Sequence, residues 1–125
     1  MNREILFTGK SITSGEWIES MTIAKGTIKR EKDDLFMEVG DNKWVGIHPH
    51  TLRQYSGIND KNKIKIFEGH LFKLGAEKEV FEARFAHGCF MAFCNGKQFG
   101  LIGELQICFI NVIGNIYDNP ELLQK

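Results

Sequence analysis

The sequence predicts a mostly β protein with few short helical turns. Three observations predict it. Apolar residues recur with period two through most segments, the spacing that sends alternate side chains to one face of a strand. Thirteen Gly against two Pro fit a chain with many tight turns. No segment carries an apolar stripe at helical spacing over three turns, which excludes a helix bundle.

The elements follow in order. Residues 3–7 form a short strand candidate, and Ser14-Gly15 turns the chain towards Glu16-Trp17-Ile18-Glu19 as a hairpin or loose β excursion. Met21 to Ile23 and Thr27 to Lys29 flank a turn at Lys25-Gly26. Residues 35–39 and 43–47 alternate around Gly40-Asp41-Asn42, whose residues tolerate positive φ, and so predict a hairpin. Pro49 ends the second strand, because it lacks the N–H a ladder needs. Thr51 to Tyr55 reads equally as a helical turn or an extended connection, and Ser56-Gly57 and residues 59–62 are turn material.

Lys63-Ile64-Lys65-Ile66 alternates, and residues 70–74 follow Glu68-Gly69 as a strand. Beyond a break at 75–79, residues 80–85 place Phe81, Ala83 and Phe85 on one face and Glu82 and Arg84 on the other. Asn95-Gly96 between apolar runs is the strongest local hairpin signal, since a type I′ turn needs φ > 0 at both central positions. Residues 105–113 form a long apolar strand broken by Gln106, and Gly114-Asn115 turns the chain. Asn119-Pro120 can cap and open a short terminal helix, or the chain ends as a loose tail. The plausible halves are an N-terminal β region, 1–58, and a barrel-like region, 64–125.

Composition bounds the function. At 125 residues and 42% apolar, the chain can bury roughly two thirds of its unfolded surface without disulfide or metal. Sixteen basic residues balance sixteen acidic ones, so no whole-molecule field attracts nucleic acid or anionic membrane. The three cysteines, Cys89, Cys94 and Cys108, read as reduced core thiols, as in a cytosolic protein. The N-terminus has no apolar stretch after its charge, so no export signal and a cytoplasmic location are expected. No run is long enough to span a bilayer as a helix.

The chemical candidates are sparse. His48-Pro49-His50 puts two imidazoles two apart, but a zinc site needs at least three protein ligands. His48 and His50 therefore read as exposed histidines at a strand end, and His87, Cys89 and Cys94 match no zinc-knuckle spacing, the two cysteines reading as buried thiols in a core strand. Glu68 and His70 could form an acid/base pair or a polar site, though they read equally as a turn residue and a strand opening. No phosphate-binding glycine loop is present. Lys61, Lys63 and Lys65 share a face if their stretch is extended, with Arg53, Gln54 and Tyr55 upstream. Basic groups beside an aromatic suit single-stranded nucleic acid, whereas Lys on a solvated strand also guards against edge pairing. No catalytic set, metal or cofactor is expected.

Larger stretches carry a resemblance. Thr51-Leu52-Arg53-Gln54-Tyr55-Ser56-Gly57-Ile58-Asn59-Asp60-Lys61-Asn62, continuing into Ile66-Phe67-Glu68-Gly69, resembles the signature of the YopX family of bacteriophages and prophages. The opening Arg3-Glu4-Ile5 with Phe7, Gly9-Lys10 and Gly15-Glu16-Trp17 is similar to that family's N-terminus, and residues 112–123 are similar to its C-terminus. The resemblance implies a small, mostly β phage protein whose C-terminal part is like an SH3-type barrel, and it implies no activity. Two positions depart from the pattern: Lys63 stands where the family has Gly, and His70 where it has Asp. A non-Gly residue with φ > 0 costs of order 1 kcal/mol, so the turn at Lys63 is expected to be reshaped.

Three functions follow as expectations. The first is a non-enzymatic interaction module for a host or phage protein, with an exposed apolar patch or an open strand edge. The second is a nucleic-acid-binding barrel using Arg53, Tyr55, Lys61, Lys63 and Lys65. The third is a hydrolase or metal-dependent enzyme, with a deep pocket holding His70, Glu68 and another acid. The oligomeric state is left open, a homo-oligomer included.

Overall fold

The computed structural model describes residues 4–26 and 34–123. The strand candidate at Thr27 to Lys29 lies outside them. Among the described residues the chain is mostly β, every ladder is antiparallel, and the only helical pieces are short 3₁₀ turns. It divides into two compact units, Met1–Gln54 and Tyr55–Lys125, each with its own core.

In the first unit, β1 (Phe7–Lys10) pairs with β2 (Trp17–Ser20), and β3 (Ile23–Gly26), β4 (Asp34–Glu38) and β5 (Trp44–Ile47) form a three-stranded sheet. The turn expected at Lys25-Gly26 is absent: both residues pair with β4, opposite Leu35 and Asp34. Asp41 and Asn42, at φ 50° and 59°, make the expected reversal between β4 and β5. Met37 and Ile47 are fully buried and Leu35 nearly so, packed by Phe7, Ile18, Ile23, Val45 and Leu52. Pro49–Thr51 is a 3₁₀ turn. Buried Thr51 ties that turn to β1, its Oγ1 accepting Lys10 N–H at 2.8 Å and donating to the His48 carbonyl at 2.6 Å.

The ambiguous stretch after Thr51 is extended, as β6 (Arg53–Asn59). Arg53 and Gln54 pair with Thr8 and Phe7, while Tyr55 and Asn59 pair with Phe67 and Lys65. Gly57, at φ 86°, is no turn residue but lies where the register of β6 shifts. Glycine reaches that conformation without a Cβ penalty, which lets the strand bend and continue.

The second unit contains β7 (Lys65–Phe67), β8 (His70–Leu74), β9 (Phe81–Ala86), β10 (Cys89–Cys94), β11 (Lys97–Leu101) and β12 (Ile110–Asn115). Five of them form a sheet in the order β11-β10-β9-β8-β12. The sheet is open rather than a closed barrel: among the described residues no ladder joins β11 to β12. Its core is Ile66, Phe72, Phe81, Ala83, Ala92, Ile102 and Ile110, with Phe72 and Phe81 stacked at 5.6 Å. Fully burying a Phe or Ile side chain is worth roughly 1.5–3 kcal/mol, so this cluster is the unit's main source of stability. Asn95-Gly96 forms the expected type I′ reversal (φ 54°, 78°), and His87-Gly88 (φ 53°, 76°) forms a second two-residue turn of the same hand.

The long strand expected at 105–113 is shortened to β12. Two 3₁₀ turns, Ile102–Glu104 and Ile107–Phe109, precede it, closed by Leu105 N–H to the Ile102 carbonyl and Phe109 N–H to the Gln106 carbonyl. The terminal piece is a 3₁₀ turn, Pro120–Leu123. The Asn119 side-chain oxygen accepts the Asn115 N–H at 3.2 Å.

Candidate interaction surface

The loop between β6 and β7 is organised by Asp60, which is buried. Its carboxylate accepts three backbone N–H groups: Asn62 at 2.8 Å, Ile64 at 2.9 Å and Val112 at 3.0 Å. The Lys61 N–H meanwhile donates to the Ile110 carbonyl at 3.0 Å. The loop therefore satisfies backbone groups along the free side of β12. Lys63 lies in the left-handed region, at φ 65°, and its N–H donates to the Asp60 carbonyl at 3.0 Å. Asp60 and its acceptor bonds offset the left-handed backbone's cost of about 1 kcal/mol.

That geometry decides where the basic residues lie. Lys61 and Lys63 are exposed and Lys65 is half-buried, but the stretch turns instead of extending, so alternation does not align them on one strand face. Ile64 is correspondingly exposed while Ile66 is fully buried. Arg53 and Tyr55 do not join the lysines at a surface. Arg53 is buried with its guanidinium 4.2 Å above the Trp17 ring, and Lys10 lies 5.5 Å from the same ring. Tyr55 is buried against Phe67, its hydroxyl donating to the Asn59 side-chain oxygen.

Glu68 and Gly69 form the tight turn between β7 and β8. His70 Nδ1 accepts the Phe67 N–H at 2.9 Å, so the imidazole serves as a side-chain acceptor for a backbone donor. This is a turn-closing bond. The His48 and His50 rings stand 5.7 Å apart. Among the described residues no three His, Cys, Asp or Glu side chains gather to hold a metal. Cys89 and Cys108 are exposed rather than core thiols, whereas half-buried Cys94 packs against the second unit's core and donates to Glu79 Oε2 at 3.4 Å.

Two clefts open in the second unit. One, of about 380 Å³, contains Arg84, Glu82 and Phe93, with Arg84 bonded to Glu82 at 3.0 Å and lying 4.7 Å above the Phe93 ring. The other, of about 420 Å³, lies between the 74–77 turn and residues 104–109, on a floor of Leu74, Leu105 and Phe109. Beside it, Ile107 and Phe109 are each 51% exposed, although they belong to the apolar run Ile107-Cys108-Phe109-Ile110. The alternation pattern missed this surface by reading the run as a buried strand. Gly103-Glu104 and Gln106, which precede it, were the signal that the chain coils here. The sheet also leaves β11 as an edge, with Phe99 55% exposed at the bulge where β11 and β10 slip register.

Fold and surface together define a small antiparallel-β protein of two units, with exposed apolar side chains beside an open groove. The chain belongs to the YopX protein family, whose family model matches residues 5–124. No curated protein matches it. Among solved structures it is similar to the crystal structure of protein EF1440 from Enterococcus faecalis, at 21% identity and a TM-score of 0.53, over 98% of this chain and 100% of that one. That likeness shows the fold. No helix among the described residues is long and apolar enough to cross a membrane.

Proposed function

We propose that the chain is a phage- or prophage-encoded, non-enzymatic interaction module that acts in the bacterial cytoplasm on a host or phage protein. The observation that carries this reading is the exposure of Ile107 and Phe109 beside the Leu74–Leu105 groove, apolar area a soluble domain ordinarily covers when it can. The second unit is read as an opened SH3-like barrel. In support, its five sheet strands run fifth-first-second-third-fourth, and 3₁₀ turns precede the last strand, an arrangement shared with small barrels of that type.

Covering the exposed halves of Ile107 and Phe109 on a partner is worth about 2 kcal/mol, roughly 30-fold in affinity. The test is cross-linking of the purified chain in nuclease-treated host lysate, against an Ile107→Ser/Phe109→Ser variant with an unchanged circular dichroism spectrum. A cross-linked protein lost in the variant supports the reading. Products identical for both chains, or dependent on nucleic acid, overturn it.

A second reading, a nucleic-acid-binding β protein, draws on exposed Lys61 and Lys63 with Lys65 beside them. It expects salt-dependent binding of a single-stranded oligonucleotide, weakened by Lys61→Gln/Lys63→Gln; no binding at low salt removes it.

A further inference from the structure

The groove floor is apolar, but two of its lining residues, Glu77 and Glu104, are acidic and none is basic. Neither carboxylate is in an ion pair with another described residue. Lys78, next along the chain, lines the other cleft. Both glutamates are exposed, so a purely apolar ligand settling here would leave two negative charges at its rim without a partner, and a phosphate would be repelled by them. A ligand with an aliphatic stem and a cationic end meets both halves of the groove.

We propose that this groove receives an arginine or lysine side chain of a protein partner, with its stem on Leu74, Leu105 and Phe109 and its cation at Glu77 and Glu104. This inference rests on the interaction-module reading above and specifies the partner's chemistry. The volume, about 420 Å³, admits one long side chain with its backbone left outside. Arginine is the better fit. Its guanidinium is weakly hydrated, can engage a carboxylate through two N–H groups, and stacks on an aromatic face such as the half-exposed Phe109 ring.

The experiment uses the full ¹⁵N-labelled chain and three blocked tripeptides: Leu-Arg-Leu, Leu-norleucine-Leu and Leu-Glu-Leu. The arginine peptide is expected to shift the amides of residues 75–77 and 104–109, and to bind about tenfold more tightly than the norleucine peptide. Glu77→Gln/Glu104→Gln is expected to abolish that difference, as is raising the salt, with the rest of the spectrum unmoved. Equal binding of arginine and norleucine peptides overturns the cation site while leaving the apolar surface intact. No shift with the arginine peptide also overturns it, as do shifts in this region on changing protein concentration alone, since a second copy then covers the face. The interaction-module reading fails separately, on the Ile107→Ser/Phe109→Ser comparison.

Discussion

Asp60→Ala removes one carboxylate and leaves three backbone N–H groups without their acceptor. Their exposure sets the cost. Asn62 and Ile64 are exposed, so water replaces much of what they lose. Val112 is half-buried at the outer side of β12, and its N–H bears most of the desolvation penalty, roughly 2 kcal/mol. With roughly half that for the exposed pair together, the loss is about 3 kcal/mol. For a chain of this size, with a urea m-value of about 1.5 kcal/mol per M, the midpoint falls by about 2 M. Trp17 and Trp44 both lie in the first unit, so fluorescence follows that unit, and amide signals in the second must be used to follow the loss. The Val112 amide is expected to exchange with solvent faster in the variant under native conditions. Asp60→Asn, which keeps one acceptor oxygen, is expected to fall between wild type and Asp60→Ala. A midpoint in the second unit within about 0.3 M of wild type, with Val112 exchange unchanged, would refute the view of Asp60 as the loop's anchor.

Lys63→Gly relieves a left-handed backbone in a non-glycine residue and is expected to raise stability by up to about 1 kcal/mol, measured as an upward urea midpoint shift. Gly9→Ala drives a methyl into the Ile47 side chain at the heart of the first core and is expected to cost about 1–3 kcal/mol by thermal melting of tryptophan fluorescence. His70→Leu deletes the acceptor of the Phe67 N–H and is expected to cost about 1 kcal/mol. His70→Asp restores an acceptor and is expected to stay within about 0.5 kcal/mol of wild type on the same urea assay.

Where local chemistry alone decides the structure, the sequence was readable. Asn95-Gly96 and Gly40-Asp41-Asn42 fix reversals through positive φ, and Pro49 ends a strand because it cannot donate. Lys25-Gly26 failed as a turn because pairing with β4 overrode glycine's local freedom. Residues 105–109 failed because apolar character is not burial: single 3₁₀ turns at 102–104 and 107–109 rotate Ile107 and Phe109 outward. His87-Gly88 went unmarked because the pair is less familiar than Asn-Gly, although His also tolerates the left-handed region. The placement of three polar candidates was not legible, for one reason. Arg53, Tyr55 and His70 have side chains suited to ligands, but tertiary placement gave them to internal stacking and hydrogen bonding. Asp60 was legible only as turn material, because the Val112 N–H it accepts lies 52 residues away in sequence.

The second unit's five-stranded sheet has unlike ends. At β12 the Asp60 loop stoppers the outward backbone groups, whereas β11 has no neighbour beyond β10 among the described residues. Within this sheet an extended peptide can add at β11, whereas at β12 it meets backbone groups already bonded to the Asp60 loop.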